Sequence, residues 1–438
     1  MTPQLKETHP HQKSLTASWR EGIPAAIMLA IIDNYLTPLG LFLGATAQTI
    51  GFLVAIPNLL GSISQLFAAR LVKLLGSRLY FLIRSAFLQV LLLFLIAIFP
   101  LIHFPKQIIF FIALVACFRV STNLISTVWG SLVSDYLKPE ERGSYFGGRA
   151  QAAGIAGLIG MTFAGILLTY FKKISPAGGF AILFAMTALS RITSGFLMMQ
   201  MEDIPLQHKQ GVDFTFFKFL RQFRSSNFVK FVLYVAALTF STNLAAPYFS
   251  VYMLKELHFS YFAYTLLYIG PALAGLLSFS MWGRHADIVG NAKIIKMTSL
   301  MVPLLPLLWL ASRNIVYLTI VEMFSGFIWG GFNLCAANFI YDAVSPEKRV
   351  RCLGYFNLIN GVCVFLGASI GGYLAEHLPP VVLASRICTL FLISGIFRFI
   401  SHFLLSGRFQ EVRKTAKEVH SRDLFFSVVG IKPIFEKK

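Results

Sequence analysis

The chain has 438 residues, 56% of them hydrophobic and 13% charged, with a formal net charge of +19. A soluble globule of this size needs a polar surface that such a composition does not supply, so a water-soluble fold is excluded. A nucleic-acid binder is excluded as well, because no basic soluble domain exists to carry the positive charge.

A helix needs about 20 apolar residues to cross the hydrocarbon of a bilayer. Runs of that kind predict twelve spans, at 22–43, 48–69, 79–100, 107–135, 145–171, 178–201, 228–254, 261–283, 293–311, 314–341, 352–378 and 382–407. The first is too long for a signal-peptide core and lacks a small-residue cleavage site after it, so it is expected to remain as the first span. The sequence thus reads as an all-α membrane protein: a tail at 1–21, a six-helix bundle at 22–201, a linker at 202–227, a second six-helix bundle at 228–407 and a tail at 408–438.

Basic residues alternate from loop to loop. One set carries Arg70, Lys73 and Arg78, then Lys138 and Arg142, Lys209 to Arg224, Arg284 and Lys293, Lys348 to Arg351, and the tail. The opposite set holds only Lys106, Lys172, Lys173, Lys255 and Arg313. The positive-inside rule then places both termini in the cytoplasm. Short loops without a glycosylation-rich ectodomain point to a bacterial cytoplasmic membrane. In the linker, Phe216, Phe219, Leu220 and Phe223 share one helical face and Lys218, Arg221 and Arg224 the other, which fits a helix on an anionic leaflet or a tether with scattered aromatics. The tail, with Phe425, Phe426, Val428 and Val429 after its basic part, gives no functional reading.

Cys117, Cys335, Cys352, Cys363 and Cys388 have no CxxC spacing and read as small packing residues. The histidines lack ligand spacing, and no phosphate-binding G-x-x-x-x-G-K-[ST] stretch is present. No cofactor, metal or catalytic residue is expected.

A duplication organises the chain. Asp135, Pro139, Arg142 and Gly147 recur as Asp342, Pro346, Arg349 and Gly354, always 207 positions on. The match continues through Gly154, Gly160 and Gly165 against Gly361, Gly367 and Gly372, and reaches Arg191 against Arg398. Asn34 and Pro38 match Asn243 and Pro247 at 209, and Pro57, Gly61 and Gly76 match Pro271, Gly275 and Gly290 at 214. Two parallel repeats are the build of many alternating-access carriers.

On these residues the chain resembles the major facilitator superfamily over nearly all of 15–407. Gly283, Asp287 and Gly290, between spans eight and nine, resemble the family's cytoplasmic G-x-x-x-D-x-x-G signature, and the two D-x-x-x-P-E-x-R stretches resemble the turn after spans four and ten. Arg119 sits where the family's fourth-span motif places its arginine. The first-half signature departs from the pattern, with Ala69 and Lys73 in place of glycine and aspartate. The resemblance implies the major facilitator fold, a secondary transporter of a small molecule, a cytoplasmic gate latched by the aspartate, and a cavity lined by spans one, four, seven and ten.

Read from the residues, Pro139 and Pro346 stand at the first turn of a short helix, with Glu140 and Glu347 at its positive end. Asp135 and Asp342, at the negative ends of long spans, need a cation, with Arg142 and Arg349 in reach. Asp287 is expected to pair with a cation or helix start on a neighbouring span; a loop that merely sets topology is the alternative.

Ionisable groups inside spans are costly and mark functional positions. Asp33, Arg119 and Glu322 are not duplicated; Thr242, Gly326 and Val115 occupy the matching places. Arg119, Asn123 and Ser126 share a helical face, as do Glu322, Trp329 and Asn333, with Asn34 and Asn243 on spans one and seven. Asp33 and Arg119 are expected to pair, leaving Glu322 as proton carrier; Asp33 as carrier, or a network that only orders the bundle, are the other readings. Trp129, Trp309, Tyr35 and Tyr248 read as packing or interfacial anchors rather than stacking platforms, and duplicated Arg191 and Arg398 as scaffold. The expected function is proton-coupled secondary transport by a monomer with membrane lipid around it and protons and a small-molecule substrate as partners. A facilitated-diffusion carrier or exchanger is the alternative, and a lipid flippase or a non-transporting sensor lies further off.

Overall fold

The computed structural model describes residues 10–205, 221, 226–413, 423, 424 and 427, and leaves the side chains at 139, 346, 347 and 350 undescribed. Among these residues the chain is helical without β-strands, and twelve helices are long and apolar enough to cross a membrane. Spans one to six are Gln12–Phe42, Ala47–Leu75, Arg78–Leu101, Gln107–Tyr136, Glu140–Phe171 and Pro176–Met198. Spans seven to twelve are Asn227–Glu256, Tyr261–Val289, Asn291–Leu308, Ile315–Ala343, Arg351–His377 and Arg386–Arg408. The protein is a multi-pass membrane protein.

Polar caps set where many spans begin. Ser77, Ser175, Ser226 and Ser385 each accept the backbone N–H three residues on, and Asn314 accepts those of Val316 and Tyr317. Gly76 and Gly290, with φ of +74° and +85°, make the left-handed turns before spans three and nine that a side chain would strain.

Three features differ from the sequence expectation. Span one starts at Gln12, ten residues before the apolar run, so Glu21 lies inside it. Pro139 and Pro346 open helices of 33 and 32 residues that are spans five and eleven themselves, not separate short helices. Spans seven and nine are broken. Span seven runs Asn227–Asn243, turns at 244–245, and resumes as Ala246–Val251 and a π-helical Tyr252–Glu256. Span nine runs Asn291–Met301 and then Leu304–Leu308. Pro247 follows the first break, Pro303 lies in the second and Pro306 in the piece after it, each removing a donor and crowding the preceding turn. Pro38, the counterpart of Pro247, sits inside an unbroken helix. The interfacial reading of Phe216, Lys218, Phe219, Leu220, Phe223 and Arg224, the first-turn reading of Glu347, and the tail residues Phe425, Phe426, Val428 and Val429 lie outside what is described.

The chain forms two compact units, Met1–Lys209 with Ser250–Thr265, and Gln210–Phe249 with Leu266–Lys438. In the first, span one packs on five and six, two on four, and three on four and six. The second repeats the scheme, with seven on eleven and twelve and nine on ten. The duplicated glycines explain the match. A Cβ at Gly160 would stand 2.9 Å from Ile27 on span one, and a Cβ at Gly367 would stand 2.6 Å from the Phe240 carbonyl on span seven. The 250–265 segment is held in the first unit by the Tyr264 hydroxyl, which donates to the Asn34 carbonyl at 2.7 Å, and by the Phe262 N–H, which donates to Thr169 at 2.9 Å.

Candidate functional site

In the first unit the structure brings Asp33 and Arg119 together: Arg119 Nη2 donates to Asp33 Oδ1 at 2.7 Å, with the Asp33 side chain half-exposed. Gly61 on span two leaves room for this face, since a Cβ there would overlap the Asn123 amide and stand 3.2 Å from Arg119 Cγ. Ser126, further along the face, is exposed. Asn34 turns its amide back to the Ala30 carbonyl, 2.8 Å away, and so leans on its own helix.

Nearer the start of span one lies a cluster that the sequence reading missed. Glu21, buried on span one, accepts from Arg149 at 3.0 Å and from Ser194 at 2.8 Å, and stands 3.6 Å from Arg191. Arg149 also lies 4.0 Å over the Trp129 ring, and Gly22 makes space for its guanidinium. One carboxylate thus serves two guanidinium groups in a nearly dry site. The available signal was Arg191, a buried cation in want of an anion, but Glu21 stood outside the apolar run.

In the second unit Glu322 is partly exposed, two turns inside the start of span ten. Trp309, buried between Phe249 and Phe391, donates its indole N–H to Glu322 Oε1 at 2.8 Å. Arg398, fully enclosed on span twelve, is the charged group that acts on Glu322, yet makes its hydrogen bonds elsewhere: to Val302 O at 3.2 Å, Thr242 O at 3.4 Å and Ser394 at 3.2 Å. The duplicated arginines therefore do different work, Arg191 in a charge cluster and Arg398 on helix ends. Asn333 is exposed, and Trp329 packs edge-on against Phe332. Asn243 bonds back to Thr239 O at 2.8 Å, as Asn34 does in its own helix.

At the loop end that carries the signature, the expected pairings change partners. Arg142 and Arg349 do not meet Asp135 and Asp342; they donate to the carbonyls of Ser134 and of Tyr341 and Val344, capping the ends of spans four and ten. Asp135 is paired with buried Arg78 at 2.7 Å. Asp342 is paired with Arg413 of the tail at 2.6 Å and accepts from Asn291 at 2.9 Å. Asp287, mostly exposed, also meets Arg413, at 3.4 Å, so its cation comes from the tail and not from another span. A Cβ at Gly283 would come no closer than 3.9 Å to a neighbouring side chain, that of Leu334. The hydrogen bond to Asp342 raises the Arg413 guanidinium above its already high ordinary value, so the arginine stays charged.

The tail residues form a strap. Phe409 is buried against Phe231, Tyr234 and Phe339, Gln410 and Asn227 exchange two bonds of 2.8 Å, and Glu411 accepts the Ala292 N–H at 2.7 Å, at the start of span nine. The first unit has the same strap 208 positions earlier. Met201 is buried, Tyr136 bonds to the Glu202 carbonyl, and Asp203 accepts the Leu79 N–H at 3.2 Å, at the start of span three. Arg78 ties that strap through Ile204 O at 2.7 Å. In one unit the arginine belongs to a span, in the other to the strap.

No group of three or more metal-type ligands occurs among the described residues. The sequence matches the family model described as Major Facilitator Superfamily over residues 22–368 and 231–438. Comparison with curated protein sequences gives no match. Among solved structures, a point mutant of the nucleoside transporter NupG is similar with a TM-score of 0.71 at 15% identity, covering 90% of this chain and 100% of its own. A D-xylose-proton symporter follows at 0.68 and 12%, covering 92% and 99%. A bacterial homologue of the human lysosomal transporter Spinster, in an inward-facing and unoccupied conformation, gives 0.60 and 15%, covering 90% and 97%. At such identities the likeness is one of fold.

Proposed function

The chain belongs to the Major Facilitator Superfamily, and from that premise we propose that it is a secondary active transporter that moves a small molecule by alternating access and is driven by protons. The observation that carries this reading is Glu322. It is a carboxyl group inside an apolar span, held by a neutral indole, and no cation lies within ion-pair distance of it among the described residues. Such a group is costly to keep ionised and is suited to take up and release a proton. In the other unit Asp33 already has its cation in Arg119, which leaves Glu322 as the carrier and the Asp33–Arg119 face, with Asn34, Asn123 and, on the second unit, Asn243, Trp329 and Asn333, as substrate contacts.

The gate reading attaches to Gly283, Asp287, Gly290, Asp135, Arg142, Asp342 and Arg349, with Arg142 and Arg349 acting on helix ends. The alternation of basic loops supports cytoplasmic termini, a bacterial inner membrane is the proposed setting, and the two repeats supply the moving bodies of a monomer. The test is transport into proteoliposomes with and without an imposed pH gradient, screening nucleosides and D-xylose first because two similar folds carry those names. Glu322→Gln is expected to keep substrate exchange and lose gradient-driven accumulation; full accumulation in that variant would refute the proton role.

A further inference from the structure

The break in span nine has a charged partner on each side of it. The first piece, Asn291–Met301, ends at Val302, whose carbonyl lacks its α-helical donor because residue 306 is proline; the Leu305 N–H at 3.3 Å and Arg398 at 3.2 Å donate to it instead. The same guanidinium reaches Thr242 O, beside the break in span seven, and is steadied by Ser394, which donates to Ser241 O at 2.7 Å. The second piece, Leu304–Leu308, is capped by Trp309, whose indole N–H is bonded to Glu322 at 2.8 Å. A cation from span twelve thus pins one side of the break, and span ten holds the other through Glu322 and through Tyr317, whose hydroxyl donates to the Leu308 carbonyl at 3.1 Å whatever the charge on Glu322. In the first unit, span three, the counterpart of span nine, has one unbroken α-helix over Arg78–Ile98.

We propose that this break is the part Glu322 moves: Arg398 is a positioning residue that fixes the first piece of span nine, while Trp309 ties the second piece to Glu322 only as long as the carboxylate is charged. The proposal rests on the reading of Glu322 as proton carrier and names what the proton does. A hydrogen bond to a carboxylate is roughly twice as strong as one to a neutral acceptor. Protonation weakens the Trp309 tie, and Leu304–Leu308 gains freedom about a pivot that Arg398 keeps in place. The groups that face Glu322 are Trp309 from span nine and Arg398 from span twelve. His402 lies one turn beyond Arg398 and bonds to Ser299 and Tyr234, on the first piece of span nine and on span seven, so it serves as the control for titration elsewhere.

The experiment is hydrogen exchange of the full chain in lipid nanodiscs across pH, corrected for the chemical exchange rate, comparing Leu304–Leu308 with Asn291–Met301 in the same molecule. Lowering the pH is expected to speed exchange of the second piece by about tenfold and leave the first unchanged. Glu322→Gln and Trp309→Phe should each show the fast rate at every pH, the second with Glu322 intact. His402→Gln should keep the pH response. Wild-type exchange in Trp309→Phe overturns the proposal. Pro306→Ala restores an N–H for the Val302 carbonyl, so its second piece should stay protected at every pH; a pH response that survives there overturns the proposal too. Glu322→Gln that loses gradient-driven accumulation while exchange of Leu304–Leu308 stays at the wild-type rate keeps the proton reading and removes this one. Full accumulation in the same variant removes both.

Discussion

The two straps give a comparison in which burial alone sets the size of the effect. Arg78 is 2% exposed and bonds to Asp135, Ser131 and, twice, Ile204 O, at 2.7 to 3.3 Å. Arg413 is 38% exposed and meets Asp342 and Asp287 at 2.6 and 3.4 Å, with Asp287 itself 75% exposed. Removing one partner of a buried pair costs about 3–5 kcal/mol, whereas exposed pairs contribute about 1 kcal/mol or less. Asp135 is half in solvent, so Arg78→Met belongs near the lower end, about 3 kcal/mol, and Arg413→Met near 1 kcal/mol. At about 1.4 kcal/mol per tenfold, strap opening should rise by about a hundredfold or more in the first case and about fivefold in the second. Hydrogen exchange of residues 201–204 and 409–413 in nanodiscs reads both numbers, and raising the salt to about 1 M should loosen only the second strap. Equal effects of the two substitutions, or a salt-sensitive first strap, would refute the assignment of weight by burial.

Two further expectations test the packing. Glu21→Gln leaves Arg149 and Arg191 without their carboxylate in a buried site, and should lower stability by about 3–5 kcal/mol, seen as a fall in the melting temperature that Arg191→Met partly restores. Gly326→Ala places a Cβ against the backbone of Pro271, 2.4 Å from its Cα, which cannot yield as a side chain can; a cost of about 1–3 kcal/mol is expected in the same melt, with Gly130→Ala, which meets nothing within 4 Å, as the silent control.

The apolar runs and the repeat made the spans and their pairing legible, because a run of about 20 apolar residues crosses hydrocarbon as a helix that satisfies its own backbone bonds. The Asp33–Arg119 pair was legible for a related reason: two opposite charges inside spans seek each other. What escaped lay where the cue was a partner and not a pattern. Glu21 stood in a stretch read as tail, because hydropathy ends where a helix continues through polar residues that find partners across the bundle. Arg413 sat in a tail without periodicity, and its role depends on Asp342 and Asp287 being brought beside it. The breaks at Pro247, Pro303 and Pro306 were visible as prolines, but Pro24, Pro38, Pro57 and Pro271 lie inside continuous helices, so the residue type alone did not tell them apart.

The straps bear on how such a chain arose. Because Met201 to Ile204 and Phe409 to Val412 hold equivalent places after the sixth helix of each repeat, the ancestral segment that was copied already extended past its last membrane crossing. The seam between the copies then falls beyond Ile204. A reporter domain spliced in after Leu405 would part the second strap from the helix it follows, and one after Arg413 would still cut off Leu424, which is buried in the second unit, and Ser427, which bonds to His285 at 3.0 Å.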